Sequence, residues 1–365
     1  LIFIVVSKFI WMDKILETRK KSVQKAYRIS YLDIAKGIGI ILVVWAHARG
    51  PCMSYMYQMH MPFFFLISGL LYHPDSSRKE YFVRKVKSLY IPFAFWNVLF
   101  FTAKSILHGA SASYIAKTVA GILLTLSKDG QFFGATWFLG SLFVISVLYK
   151  MIDFSLKDSA YADVLMLLLF GIFALISFQI TFPYMVSRTF ICGMYFAGGA
   201  FIKKHWQVFR KIDHKILPMI CGILFLVIGH YNSANMGSNE YRYPVLFVIG
   251  AAMASYSLIC FCRYFDRKTG WFLLPLKHLL IFLGRNSMDI VIWQFVAFRA
   301  VIMVQMYLNH ETITISNILK YYPCYSTEGI WWLAYTAAGL LLPLLFCSIL
   351  RTGVWGKWLK FLHIV

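Results

Sequence analysis

Charged residues are scarce in this chain. Only 14% of its 365 residues are Asp, Glu, Lys or Arg, whereas soluble domains carry about 25%. With 60% hydrophobic residues, the chain has too little polar surface for a soluble globular enzyme. The same composition excludes an intrinsically disordered chain, which would be poor in apolar residues.

Acidic residues are scarcer still, because 15 Asp and Glu stand against 36 Lys and Arg, which gives a net charge of +21. In a soluble protein, such an excess would indicate nucleic-acid binding. Here no basic stretch alternates with stacking aromatic residues outside the apolar runs, and membrane proteins collect Lys and Arg in cytoplasmic loops. We therefore predict the lipid bilayer, and no nucleic acid, as a partner.

The sequence also lacks the motifs of several common chemistries. Its seven cysteines form no C-x-x-C pair and lie mostly within apolar runs, so they predict neither a zinc site nor a disulfide framework. No Walker A loop, H-E-x-x-H helix or glycine-rich dinucleotide fingerprint is present. No metal is therefore expected.

Long apolar runs are what the sequence has instead, and each is long enough to cross a hydrocarbon core of about 30 Å. They predict an all-α, polytopic transmembrane helical bundle of about ten spans, at residues 31–48, 56–73, 89–107, 134–152, 161–180, 187–203, 215–231, 243–262, 286–307 and 329–350. With both termini in the cytoplasm, 26 of the 36 Lys and Arg fall on the inner side and 8 on the outer side. This split predicts that orientation, in a cell (plasma or inner) membrane.

No internal repeat or low-complexity linker divides the chain. We predict a cytoplasmic N-terminal segment at 1–27, a membrane domain at 28–350 and a cytoplasmic tail at 351–365. Residues 1–11 precede Met12 and are expected to lie before the native start. Residues 264–285 are expected to lie along the inner membrane surface.

Ionisable residues follow one stripe of the first span. Asp33 and Lys36 are three residues apart, hence neighbours on a helix face. His47 lies eleven residues after Lys36, within about 20° of the same face and about 16 Å further along the helix axis. Ionisable groups inside a membrane are costly and usually functional, although Asp33 and Lys36 could also form a purely structural pair.

The second span begins near a further histidine, His60. Because this span enters from the outside, His60 starts at the membrane depth at which His47 ends. Two imidazoles at one depth could supply a base and an orienting group, while the alternative for His60 is a histidine that anchors a helix end. At the inner end, Arg84 and Lys87 could hold phosphates of a cytoplasmic ligand or only mark the cytoplasmic side.

Later spans add polar or interfacial residues. Trp137 opens the fourth span, where interfacial tryptophans are common. In the ninth, Asn286 is predicted to cap the helix, Ser287 follows it, and Gln294 lies inside the span and needs a polar partner.

Together these stretches resemble the acyltransferase 3 family, and within it the fucose 4-O-acetylase-like sugar O-acetyltransferases. The resemblance extends from about Arg28 to Leu350. The family's basic residue followed after ten residues by histidine corresponds to Lys36 and His47, and its second-span signature to HMPFFFLISG at 60–69. Its basic pair before a proline corresponds to Arg84 and Lys87, and its WFL motif to 137–139. The segment GRNSMDIVIWQF resembles its late motif, with Gln294 where many members have histidine.

The resemblance implies an enzyme that transfers an acyl group, most often acetyl, from cytoplasmic acyl-CoA to a hydroxyl of a surface glycan or lipid-linked sugar. His47 would be the general base, with Lys36, Asp33 and His60 as further catalytic candidates. Arg84, Lys87 and Trp137 would bind acetyl-CoA, and Asn286, Ser287 and Gln294 would support substrate or structure. An acyl-histidine intermediate and direct transfer both fit the residues, and the oligomeric state is left open.

Two other functions fit the same residues. One is a transporter or flippase for a lipid-linked sugar, with His47 and Lys36 as a relay, although its usual inverted repeat is missing. The other is a non-catalytic membrane sensor that retains the fold, an option kept open by Gln294.

Overall fold

The computed structural model describes residues 30–126, 134–212 and 216–352, together with Gly356 and Leu359. The predicted N-terminal segment 1–27 and nearly all of the predicted tail 351–365 lie outside these residues. The described chain is almost entirely helical. The helices are α1 Ser30–His47, α2 Met53–Leu70, α3 Arg78–Lys85, α4 Ile91–Leu107, α5 Ala112–Thr125, α6 Trp137–Ser155, α7 Ala162–Gln179, α8 Val186–Lys204, α9 Trp206–Ile212, α10 Ile216–Tyr231, α11 Pro244–Arg267, α12 Leu273–Arg285, α13 Ser287–Leu308, α14 Ile315–Lys320 and α15 Trp331–Leu350.

Each predicted span coincides with one helix, from α1 and α2 to α13 and α15, with ends that differ by a few residues. Among the residues that the structure describes, seven segments are long and apolar enough to cross a membrane, which makes this a multi-pass membrane protein. Helices α2, α8 and α10 are not among the seven. The number of spans and the side of each terminus stay predictions. Large apolar side chains such as Leu168, Leu175 and Ile223 are exposed, as expected where helices face lipid.

Helix α2 lies at the centre of the bundle, in contact with α1, α8 and α11. Phe63 and Phe65 on this helix are fully buried, and Phe64 is nearly so. The polar side chains of Gln58 and His60 on the same helix are buried as well, as expected for a helix whose neighbours are other helices and not lipid. Its tight contact with α8 depends on two glycines, because a Cβ on Gly69 would overlap the backbone of Phe196 and a Cβ on Gly199 would overlap that of Leu66.

The segment 264–285, predicted to lie along the inner membrane surface, is formed by the end of α11 and by α12. Helix α11 continues to Arg267, and α12 then packs against α1, burying Leu280 and Leu283. Leu274 and Leu276 on α12 are exposed, and the position of this helix at the membrane surface stays a prediction.

Two connections cover the end of the bundle at which α1 terminates. Strands β1 (Ala234–Asn235) and β2 (Glu240–Tyr241) form an antiparallel hairpin with Ala234 opposite Tyr241. The other connection, residues 309–330, contains α14, whose first turn is capped by the Thr314 side chain.

Candidate active site

A pocket opens where α1, α2, α6 and the hairpin meet. It encloses about 460 Å³ of space, part of it open to solvent. His47, Tyr57, His60 and Trp137 line it, along with residues 235–237 of the hairpin. The two histidines that the sequence places at one depth therefore do share a cavity, although they come from different helices.

Gln294 on α13 fixes the tautomer of His47. The Gln294 Oε1 atom lies 3.2 Å from His47 Nδ1, while its Nε2 atom donates to the Val291 carbonyl oxygen at 3.4 Å. Because the amide nitrogen is directed to Val291, the oxygen faces the imidazole and Nδ1 must donate. The lone pair of the neutral ring then lies on Nε2, the nitrogen that can accept a proton.

His60 and Tyr57 surround His47 with two further rings. The ring centroids lie 6.2 Å apart for His47 and His60 and 5.4 Å apart for Tyr57 and His60, in edge-to-face arrangements. His60 Nδ1 donates to the carbonyl oxygen of Met56, one turn earlier in α2, so its Nε2 also carries the lone pair. The pocket thus holds two imidazoles, each oriented by a hydrogen bond at Nδ1, and a phenol.

A cysteine also lies close to His47. The Cys324 thiol donates to the His47 carbonyl oxygen, with a sulfur–oxygen distance of 3.7 Å. Burial raises the pKa of this thiol to about 12. Since the thiolate is the reactive form of cysteine, the buried thiol is a poor nucleophile.

We expect Cys324→Ser to keep most of the activity of this site, because the hydroxyl can donate to the same carbonyl and no thiolate is required. The measurement is the turnover of purified wild type and variant, alongside alkylation by iodoacetamide near neutral pH. A total loss of turnover in a folded Cys324→Ser variant would contradict this reading and indicate a cysteine nucleophile.

The opposite end of α1 carries an ion-pair cluster. Lys36 Nζ lies 2.6 Å from one carboxylate oxygen of Asp33, and Arg285 Nε lies 3.4 Å from the other. The predicted neighbours Asp33 and Lys36 are therefore paired, and Arg285 on α12 completes a three-residue cluster. The two helices approach closely because a Cβ on Gly37 or Gly284 would overlap the backbone of the other helix.

The basic residues on α3 adjoin a buried tyrosine. The Tyr81 ring is 2% exposed, and the cationic groups of Arg84, Lys85 and Lys150 lie 5.3, 5.3 and 5.8 Å from its centroid. These distances are in the range of cation–π attraction. Lys87 is exposed and lies in a π-helical turn, Val86–Tyr90, a distortion that is frequent at functional sites.

The junction of α12 and α13 differs in detail from its prediction. Asn286 occupies the position before α13, but its side-chain amide donates to the Phe282 carbonyl oxygen at 2.8 Å and makes no cap. The reason is that α12 ends immediately before it, so the amide pairs with a terminal carbonyl of that helix. Ser287 is the half-buried first residue of α13.

The structure thus divides the candidate residues into groups. His47, His60 and Trp137 share the pocket, and Gln294 contacts His47. Asp33 and Lys36 lie at the other end of α1, while Arg84 and Lys87 lie on or beside α3.

Sequence reasoning missed several neighbours of these groups. Tyr57 had a signal, since it lies three residues before His60 and hence on the same helix face. Arg285, Lys150 and hairpin residues 235–237 approach the sites only through tertiary contacts, so the sequence held no local signal for them.

Comparison with known proteins identifies the family of this chain. A distant relative, Nodulation protein NolL of Mesorhizobium japonicum, is 29% identical over 136 residues, which cover 33% of this chain and 35% of NolL. The match thus spans about a third of the relative's length, and no solved structure matches the chain. The family model for the acyltransferase domain matches residues 29–352, so the chain belongs to the acyltransferase 3 family.

Proposed function

We propose that this protein is a membrane O-acyltransferase. It takes an acyl group, most often acetyl, from cytoplasmic acyl-CoA and transfers it to a hydroxyl of a surface glycan or lipid-linked sugar. The observation that carries the proposal is the oriented His47: Gln294 holds Nδ1 as a donor, which leaves Nε2 as the basic nitrogen of a side chain that lines the pocket. A sugar hydroxyl is a weak nucleophile near neutral pH and needs such a base.

In the proposed reaction, His47 Nε2 accepts the proton of the acceptor hydroxyl, while the hydroxyl oxygen bonds to the acyl carbon of the thioester. The carbon–sulfur bond of the thioester then breaks, and the imidazolium returns the proton to the departing sulfur. His60 is a second imidazole that lines the same pocket, where it can hydrogen-bond to the incoming hydroxyl. Trp137 provides an aromatic wall against which a sugar ring or the acyl arm packs.

The donor enters from the opposite side in this proposal. Arg84 and Lys87, with Lys85, hold the phosphates of coenzyme A. From there the pantetheine arm follows α1, whose Asp33–Lys36 cluster orients it, to the sulfur position beside His47. Both termini are then cytoplasmic, and the enzyme resides in the cell membrane.

Purified protein in lipid nanodiscs tests this function with radiolabelled acetyl-CoA and a panel of sugars. We expect slow release of acetate without an acceptor and labelled sugar ester with one. A transporter would give neither product, and a sensor would at most bind coenzyme A. Either result with folded wild type would overturn the proposed activity.

We expect Gln294→Leu to lower kcat about 10–100-fold with little change in KM. Loss of a hydrogen-bond partner that orients a metal-binding histidine has an effect of this size in other proteins. Leucine has a similar size but cannot accept the Nδ1 proton, so the imidazole samples the wrong tautomer. Gln294→His is the matched control because histidine can accept that proton, and it should retain activity. Equal activity of the leucine variant and wild type would exclude an orienting role.

We expect Arg84→Gln to raise KM for acetyl-CoA about tenfold at low salt, because a charge-assisted contact with phosphate is lost. The difference should shrink as salt rises, since the side chain is exposed. Steady-state kinetics at two ionic strengths measures this. Arg267→Gln removes an exposed charge from the inner end of α11 and serves as the control, and an equal rise in that variant would show a general surface-charge effect.

A further inference from the structure

Buried polar atoms without hydrogen-bond partners lie next to the pocket that His47 lines. Among the described residues, the buried side-chain atoms without a hydrogen-bond partner include Arg188 Nη1, the Tyr195 hydroxyl and the Tyr241 hydroxyl. Tyr195 is only 4% exposed. Burying a polar group without a partner is unfavourable, and burying part of a guanidinium is more so, which makes a cluster of three unusual.

Two of these groups lie on α8 and the third on the hairpin, where Tyr241 is close enough to Arg188 and to Tyr195 to interact electrostatically with each. Arg188, Cys192 and Tyr195 follow one another at spacings of four and three residues, so they lie on one face of α8. Side chains in a helix lean toward its N-terminus, which directs Tyr195 toward Arg188. Tyr241 on β2 is close enough to Arg188 and Cys192 to interact electrostatically with both. Burial raises the pKa of Tyr241, so its hydroxyl stays a neutral donor.

The cluster adjoins the wall of the His47 pocket. The Arg188 guanidinium lies 5.4 Å from the centroid of the Trp137 ring, which lines that pocket. The sulfur of Cys192 lies 3.4 Å from that of Met236, another lining residue. The cluster therefore borders two residues that line the pocket of His47.

The hairpin is fixed at its ends but not by these polar groups. The Asn232 side-chain amide donates to Gln58 Oε1 on α2, and Gln58 Nε2 donates to the Asn232 backbone carbonyl oxygen. The Asn232 Oδ1 atom accepts from the Tyr243 backbone N–H. Both ends of residues 232–243 are thereby held, while the Tyr241 hydroxyl makes no hydrogen bond. A movement of the strands between these anchors would break no hydrogen bond of Arg188 Nη1 or of the two hydroxyls, because these atoms make none.

The charge of Arg188 determines which ligands the cluster could bind. In the described part of the chain, no carboxylate forms an ion pair with Arg188, and the nearby titratable groups are Cys192 and Tyr241. A guanidinium flanked by two phenol donors suits an oxyanion with several acceptor atoms, because arginine binds carboxylate and phosphate through paired hydrogen bonds.

We propose that Arg188, Tyr195 and Tyr241 form an acceptor subsite for an anionic oxygen group, a carboxylate or a phosphate, carried by the sugar. The inference rests on the proposed function and narrows its acceptor to acidic or phosphorylated sugars. The anionic group anchors the sugar behind Trp137 and directs a ring hydroxyl toward His47.

Direct binding to the full-length protein in nanodiscs, without acyl donor, tests this subsite. The probes are glucuronic acid, glucose 1-phosphate and neutral glucose, measured by isothermal titration calorimetry. We expect one or both anionic probes to bind at least tenfold more tightly than glucose, and the preferred probe distinguishes carboxylate from phosphate. Arg188→Gln should abolish this preference, whereas Arg242→Gln, which removes an exposed charge from the same connection, should retain it.

Tyrosine-to-phenylalanine variants separate binding from folding. If these hydroxyls serve only the fold, Tyr195→Phe and Tyr241→Phe remove unpaired buried groups and leave anion binding unchanged. The subsite instead predicts unchanged or higher thermal stability together with weaker binding of the anionic probe. Equal binding of the three probes to wild type, or an anion preference that survives in folded Arg188→Gln and both phenylalanine variants, would overturn the proposal. Because no acyl donor is present, such a failure is distinct from a failure of acyl transfer.

Discussion

Replacing His47 with glutamine should lower acyl transfer by about 10²–10⁴-fold, the contribution expected of a general base. Glutamine approximates the size of the ring and can still hydrogen-bond to Gln294, but it cannot accept a proton near neutral pH. The loss should fall on kcat, while the affinity for acetyl-CoA stays near that of wild type because the proposed phosphate contacts lie on or beside α3, outside the pocket. Single-turnover transfer and coenzyme A binding measure the two effects separately.

His108→Gln is the matched control for this prediction. His108 is an exposed histidine just after α4, and its Nδ1 bonds to the Lys104 carbonyl oxygen as His60 bonds to that of Met56. It lies outside the pocket, so transfer should continue at the wild-type rate. Full transfer by a folded His47→Gln protein would exclude His47 as the base and leave His60 as the remaining imidazole of the pocket.

The sequence predicted the central part of the site because its signals were local to single helices. Periodicity placed Asp33 and Lys36 on one face of α1, and the structure pairs them at 2.6 Å. The proximity of His47 and His60 could be predicted because a short turn joins two antiparallel helices. Residues at the same membrane depth on two such helices lie close together. Both histidines line the observed pocket.

Contacts between distant segments could not be predicted in this way. Gln294 is 247 residues from His47 along the chain, and its polarity showed only that it needed a partner. Its amide oxygen takes the position from which an acceptor can hold the imidazole, so glutamine at the position where many family members have histidine is compatible with catalysis. The hairpin over the pocket and Arg285 beside Asp33 likewise depend on how whole helices pack, which no single-helix pattern encodes.

A second large effect is expected from a change of one methyl group at the contact of α2 and α8. A Cβ on Gly199 would overlap the carbonyl oxygen of Leu66 and approach the backbone nitrogen of Leu70, so Gly199→Ala must force the two helices apart. Overpacking of this kind typically costs about 1–3 kcal/mol, and here backbone atoms on both sides leave no flexible side chain to yield. Because α2 also carries Tyr57 and His60, its displacement should disturb the pocket and reduce activity in any protein that still folds.

The neighbouring glycine provides the control. A Cβ on Gly198 would meet no atom within 4 Å, and alanine is favoured over glycine in a helix interior by about 1 kcal/mol, so Gly198→Ala should melt at or above the wild-type temperature. The measurement is thermal unfolding in detergent, followed by acyl transfer from the folded fraction. If both variants melted alike, the close approach of α2 and α8 would not hold the site together. The two variants have the same composition and change the same helix, so opposite shifts in melting temperature must come from the face of α8 on which the added methyl group lies.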